Sequence, residues 1–190
     1  LVDQFIDRTY LRDKSFFGKG CVAHVSLAHP TCDKFSDIIL KIGKKLNIKI
    51  ESGGTYMTME GPQFSTLAES KLYKDNWKCD VIGMTNMPEA KLAKEAEICY
   101  VSLSMVTDFD CWHPDHDSVE VSDIIKTLTE NSSKAQKIIE ALPDFLKSDR
   151  NLCGLGCNNA LDNAIITAPE KRDKDLIQKL DVILERINQL

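Results

Sequence analysis

The stretch Cys99-Tyr100-Val101-Ser102-Leu103-Ser104-Met105-Val106-Thr107 runs directly into Asp108-Phe109-Asp110-Cys111-Trp112. Residues 99–106 are apolar, short and rich in β-formers, so they read as a buried strand. Asp108 and Asp110 follow its C-terminal end two residues apart, a spacing that points both carboxylates to one side of an extended backbone. Ligands of open α/β sheets bind outside the carboxyl ends of the strands. One junction therefore indicates both a fold class and a place for chemistry.

Working outward from that strand, helices and strands alternate. Residues 1–5 read as a strand end and 23–27 as a short extended piece. A helix opening at Pro30-Thr31 carries Phe35, Ile38, Ile39, Ile42 and Leu46 on one stripe. Strands are expected at 48–51 and 55–59 around the Gly53-Gly54 turn, and at 80–84. Pro62 suits the first turn of a helix running to about 77, and Pro88 starts another over 89–97. Ser122 would cap a helix with Ile124, Ile125, Leu128, Ala135, Ile138 and Ile139 inward, ending at Pro143. A last amphipathic helix is expected over 173–190, burying Leu176, Ile177, Leu180, Ile183, Leu184 and Ile187. Alternation of this kind predicts an α/β layered fold.

With 190 residues, 43% hydrophobic and 28% charged, the chain can build the core of a single domain. A net charge of -5 disfavours nucleic acid and anionic membranes as main partners. No apolar run approaches the roughly 20 residues that span a bilayer. Seven cysteines, an odd number scattered through apolar segments, suit a reducing cytoplasm better than a disulfide framework.

Two acids held close together take different roles, because like charges at short range drive one toward the protonated form. A protonated Asp donates a hydrogen bond while its ionised neighbour accepts one. Adenine offers the matching pair, an acceptor at N7 and a donor at the 6-amino group. On spacing alone, a solvated acidic loop capping the next helix is the better explanation of the two residues.

The flanking sequence separates these readings. Asp3-Gln4-Phe5-Ile6-Asp7-Arg8-Thr9, Met59-Glu60-Gly61-Pro62-Gln63-Phe64-Ser65, Val81-Ile82-Gly83-Met84-Thr85-Asn86-Met87-Pro88-Glu89-Ala90, Ala93-Lys94-Glu95-Ala96 and Met105-Val106-Thr107-Asp108-Phe109-Asp110-Cys111-Trp112 closely resemble the 5′-methylthioadenosine phosphorylases, of the trimeric purine nucleoside phosphorylase family. The resemblance is carried by residues 1 to about 169 and is weaker in the tail. It implies a three-layer α/β/α phosphorylase core around a twisted mixed sheet, with residues 1–190 forming a single purine nucleoside phosphorylase-like domain. The chain opens on Leu1-Val2. By the resemblance it corresponds to roughly the C-terminal two-thirds of a family member, the Gly-rich, Arg-His and Thr-Ala phosphate segments lying before it. Phosphorolysis by residues 1–190 alone is accordingly expected to be negligible.

The implied reaction is phosphorolysis of 5′-methylthioadenosine to adenine and 5-methylthioribose 1-phosphate, in methionine and purine salvage. Phosphate is a co-substrate, and neither cofactor nor metal is expected. The implied assembly is a cytoplasmic homotrimer. Asp108 would be the general acid at N7 and Asp110 the acceptor of the 6-amino group, with Phe109 between them in the base site. The resemblance puts Phe64 under the base, Ser65 beside it, Met84 on the ribose and Thr85 on phosphate. It also puts Val121 and Ile124 around the 5′-methylthio group and His24 into a neighbouring subunit's pocket. Without it, Thr85 is a helix-start threonine, Phe64, Val121 and Ile124 are core residues, and His24 is a surface histidine.

Other phosphorylases or hydrolases of purine nucleosides, and a non-catalytic nucleoside-binding fragment, remain as alternatives. Cys21, His24, His29 and Cys32 space like metal ligands, but Pro30-Thr31 is expected to open a helix among them, and they match no common zinc site. Cys153 and Cys157 read as two reduced thiols in a loop, and the segment around His113-Pro114-Asp115-His116-Asp117 as a polar loop near the site.

Overall fold

A computed structural model of the chain describes residues 1–114, 120–148 and 153–188. Strands β1 (Gln4–Arg8), β2 (Thr55–Met59) and β3 (Val81–Gly83) form a parallel sheet in the order β1-β2-β3. Phe5 pairs with Tyr56, and Met57 with Ile82. The middle strand, β2, buries Tyr56, Met57 and Thr58 in succession, as a central parallel strand covered on both faces must. Parallel neighbours need crossovers, which contain α1 (Asp33–Lys45) and α2 (Leu67–Lys71). The α/β class is borne out. Antiparallel pairing among the described residues is limited to isolated bridges such as Val2–Ser102 and Ala23–Ile165.

The expected strand at 99–106 is not one. The chain there is extended but forms a single bridge, from Ser102 to Val2. Beyond it, Leu103, Ser104, Met105 and Val106 line an open cleft of about 600 Å³ with Leu1, Val2 and Gly54. A ladder needs a continuous neighbour, and this stretch lacks one. Residues 48–51 are likewise irregular, and their backbone is used outside any ladder: Glu51 accepts from the Leu1 nitrogen at 2.7 Å, and Ile48 donates to Gly43. The first strand extends to Arg8 rather than stopping near Phe5.

Helix starts also differ. The α1 helix begins at Asp33, after Cys32. In place of a helix from Pro62, a capping box formed by Thr66 and Glu69 starts α2 at Leu67, and the helix then widens into a π turn over Leu72–Asn76. Helix α3 covers Glu89–Glu95.

The long helix α4 (Val121–Ser148) continues through Pro143 rather than ending there. Pro143 sits on an exposed turn next to Ile139, itself 65% exposed, so water can satisfy the carbonyl that loses its donor. At 1.5 Å per residue α4 is about twice as long as α1, on which it packs. Ile138 is therefore buried against Ile38, Ile39 and Ile42, each contributing about 2 kcal/mol. Ile125, Leu128 and Ile139, expected inward, are exposed.

The last helix is broken at Leu180 into α5 (Lys174–Lys179), capped by Asp173, and α6 (Asp181–Asn188). Leu180 and Leu184 pack with Phe17, Cys21, Leu161 and Ala164 in a separate core. Residues 115–118 of the expected polar loop, and 189–190 of the last helix, lie outside the described residues.

Candidate active site

The carboxyl ends of β1, β2 and β3 are tied together by one arginine. Arg12 pairs with Glu60 at 3.1 Å and donates to the backbone carbonyls of Glu60 and Met84 at 3.1 and 2.9 Å, and to that of Met87. Glu60 also accepts from the backbone N–H groups of Tyr10 and Leu11. Those two N–H groups, with Arg12 behind them, hold the Glu60 carboxyl below its ordinary value. Beside this knot Asp7 accepts from Thr9, Lys14 and Lys91, with its side chain only 12% exposed. Burial alone would raise its pKa, but Lys91, Thr9 and Lys14 outweigh that and hold the carboxyl far below the usual range.

Glycines let two side chains approach closely at the same rim. A Cβ on Gly83 would fall 1.9 Å from the Tyr56 hydroxyl. That hydroxyl shares a 3.1 Å hydrogen bond with Thr85 Oγ1, while Thr58 donates to the Thr85 carbonyl at 3.0 Å. Gly61, at φ 75°, leaves room for the Met84 sulfur, which a Cβ there would meet at 2.7 Å. Met84 and Thr85 are thus set by neighbouring strands, with Thr85 exposed at the rim.

The two acids are bound differently. Asp110 accepts at both oxygens, from Ser70 Oγ at 2.5 Å and from the Cys111 N–H at 2.8 Å. Asp108 accepts at one oxygen from Thr107 at 2.5 Å; among the described residues its other oxygen is open. Ser65 is joined to this group through a contact of Cys111 Sγ to its carbonyl at 3.7 Å, and to β2 through Met59 Sδ at 3.7 Å. Ser65, Asp110 and the end of β2 are therefore brought together, with Met84 on Gly61 next to them.

The apolar residues are less enclosed. Phe64 is 84% exposed and lies before α2 rather than in its first turns. Phe109 stacks on His113 at 4.3 Å yet is 58% exposed, and Lys74 lies 3.0 Å over the neighbouring Trp112 ring. Val121, 70% exposed, is the first residue of α4, with Ile124 one turn on. His24 is exposed and is fixed through its backbone N–H to Ala164. The cleft of about 600 Å³ lies at the opposite, N-terminal end of the strands; none of these residues lines it, although its lining runs to Val106, two positions before Asp108.

This arrangement, with Asp110 held through Ser70 and Cys111 beside the carboxyl end of β2, accompanies a match of residues 1–143 to the family model of the phosphorylase superfamily. The chain belongs to that superfamily. It is 57% identical to the S-methyl-5′-thioadenosine phosphorylase of Cereibacter sphaeroides over 187 residues, covering 98% of this chain and 64% of the relative. The corresponding protein of Bradyrhizobium diazoefficiens is 55% identical, with the same two coverages of 98% and 64%. A crystal structure of a methylthioadenosine phosphorylase sourced from an antarctic soil metagenomic library superposes with a TM-score of 0.87 at 41% identity, over 96% of this chain and 64% of that one. The chain thus spans 64% of the length of these two relatives. The family model ends at residue 143, while the alignment to the Cereibacter sphaeroides protein extends over almost the whole chain.

Several residues of this candidate site had no signal in the sequence. Ser70 is an ordinary helix serine until Asp110, forty positions later, is folded against it. Arg12 and Glu60 sit in or beside polar loops, and only the parallel sheet brings them together. Tyr56 looks like a strand residue, and its bond to Thr85 depends on the missing Cβ of Gly83.

Proposed function

We propose that the chain carries the nucleoside-binding and proton-donating part of an S-methyl-5′-thioadenosine phosphorylase. The observation that carries the reading is the asymmetry of the two acids. Both oxygens of Asp110 act as acceptors, as a residue receiving a 6-amino N–H requires. Asp108 keeps one oxygen open toward a base. Phosphate attacks C1′ as the glycosidic bond breaks, the ring passes through an oxocarbenium-like state, and the bonding pair stays on the purine. Asp108 then delivers its proton to N7, so adenine leaves neutral. Thr85, held by Tyr56, contacts phosphate, and Met84 packs on the ribose. Phe64, Ser65 and Phe109 surround the base, while Val121 and Ile124 receive the methylthio group. His24 of one subunit reaches the pocket of the next in a cytoplasmic homotrimer. The chemistry uses phosphate as co-substrate and no catalytic cofactor. Among the described residues no helix is long and apolar enough to cross a membrane.

Two substitutions in the complete protein test the assignment. Asp110→Asn introduces an amide that can donate to a 6-oxo group, so the ratio of kcat/KM for methylthioadenosine to that for methylthioinosine should fall. Discrimination of this type reaches roughly 10⁴-fold, of which a rotatable amide should recover part. Asp108→Asn should lower kcat by about 10²–10⁴-fold on both substrates, because protonation at N7 is common to them. An unchanged substrate ratio in the first variant, or intact turnover in the second, defeats the assignment.

A further inference from the structure

Four of the seven cysteines converge on one point outside the candidate active site. The Sγ atoms of Cys32, Cys99, Cys153 and Cys157 all lie within 4.8 Å of one another. They arrive on three separate segments. Cys32 caps the N-terminus of α1, Cys99 follows α3, and Cys153 and Cys157 flank a turn closed by the Gly156 N–H on the Cys153 carbonyl at 3.3 Å. Three of the four are nearly inaccessible: Cys32 is 1%, Cys157 3% and Cys153 9% exposed.

We propose that these four cysteines form a structural zinc site that staples the 153–157 turn to α1 and the segment after α3. A tetrahedron with Zn–S bonds of about 2.3 Å has S···S edges of roughly 3.8 Å, so the cluster needs to contract by only about 1 Å to close on the ion. Thiolate sulfurs in a closed four-coordinate set select zinc over hard cations.

Polar groups reach two of the sulfurs. The Cys157 N–H donates to Cys153 Sγ at 3.1 Å, the kind of backbone bond that orients a metal-bound sulfur. Lys94 is 7% exposed, and its ammonium lies 3.9 Å from Cys157 Sγ. A buried ammonium is costly unless an anion faces it, and a neutral thiol does not supply one. Thirteen-residue α1 directs its N-terminal dipole at Cys32.

The ligand segments are braced independently of any metal. The Cys32 N–H donates to the Tyr100 carbonyl at 2.7 Å, which fixes Cys32 beside Cys99. Glu97 accepts from the Leu161 N–H at 2.9 Å and pairs with Arg186, which fixes the Cys99 segment beside the residues after Cys157. Binding involves no electron transfer. Each thiol yields its proton to solvent as its Sγ–Zn bond forms, and Lys94 offsets one charge of the resulting four-thiolate complex. This set shares only Cys32 with the Cys21, His24, His29 and Cys32 pattern in the sequence. A structural ion here leaves the phosphorolysis chemistry free of any catalytic metal.

The test uses the complete protein, expressed in zinc-replete medium and purified under reducing conditions. Elemental analysis should find close to one zinc per chain, and exchange with Co²⁺ should give the thiolate charge-transfer and tetrahedral d–d bands of a four-sulfur site. Cys153→Ser should lose the metal and Cys99→His should retain it with an altered cobalt spectrum, while Cys79→Ser, outside the cluster, should match the parent. Removing zinc with a chelator should lower the thermal unfolding midpoint of the parent but not of Cys153→Ser. If a variant fails to fold, the zinc content and cobalt spectrum of the parent decide the matter. A folded, reduced parent with less than about one-tenth equivalent of zinc and no cobalt bands overturns the proposal. So does a mass showing these cysteines joined in disulfides.

Discussion

The polar rim of the sheet and the apolar face around Phe64, Phe109 and Val121 belong to one proposed pocket but are held in opposite ways. At the rim, Arg12, Glu60, Asp7, Lys91, Tyr56 and Ser70 each have partners within this chain. The apolar members are open, with Phe64 84%, Val121 70% and Phe109 58% exposed. Hydrogen bonds are directional and can be completed between two loops, whereas apolar surface is buried only when a second surface covers it. The hydrogen-bonding half of the pocket is thus preorganised by this chain. The half that would hold the base face and the methylthio group requires a further surface.

Three changes test that contrast. The largest effect is expected at Ser70, 1% exposed and bonded to Asp110. Ser70→Ala removes a charge-assisted bond of about 1.5–3 kcal/mol, so kcat/KM for methylthioadenosine should fall roughly 10- to 100-fold in the complete protein. The melting temperature should fall by several degrees as the same bond is lost, and unchanged kinetics would show that Asp110 does not depend on this contact.

Asp7→Asn should remove about 2 kcal/mol of folding stability at neutral pH, from charge-assisted bonds to two lysines. Because the folded carboxyl titrates below its ordinary value of 3.8, its contribution is complete above that value and is lost as the pH falls through and below it. The stability gap between parent and variant, measured by urea unfolding, should therefore be constant above about pH 5 and narrow steadily as the pH falls below 3.8. A gap constant with pH would mean that Asp7 acts through packing rather than charge.

The smallest effect on stability is expected at Val121. As the side chain is 70% exposed, Val121→Asp should shift the stability of the chain by no more than about 0.5 kcal/mol. In the assembled protein the same change should depress turnover of methylthioadenosine far more than that of adenosine, whose 5′-hydroxyl can bond the new carboxylate. Equal losses on both substrates would take Val121 out of the pocket and leave the apolar face without a role.

Much of this was legible in the chain itself. The α1 stripe of Phe35, Ile38, Ile39 and Ile42 faces the core as its spacing requires, because a 3.6-residue period places those side chains on one face whatever they meet. The two acids after the apolar run were equally visible as residue types, but the bend at Asp108 and their different partners, Thr107 for one and Ser70 for the other, were not. The 99–106 stretch, read as a strand, is extended without a ladder, because pairing depends on a neighbour that local sequence does not specify. Pro143 did not end α4, because exposure of the turn, a tertiary property, relieved its cost.

By itself, then, the sequence determined the α/β class, the core-facing stripe of α1 and the residue types of the two acids, all of them set by local periodicity and side-chain chemistry. Only the tertiary structure decided which partners those residues meet. Ser70 reaches Asp110, Arg12 spans the ends of the strands, and cysteines from positions 32, 99, 153 and 157 gather at one point. Contacts between residues so far apart in the chain carry no periodic signal. They exist because folding brings the segments together and buries polar and sulfur groups that must then satisfy one another.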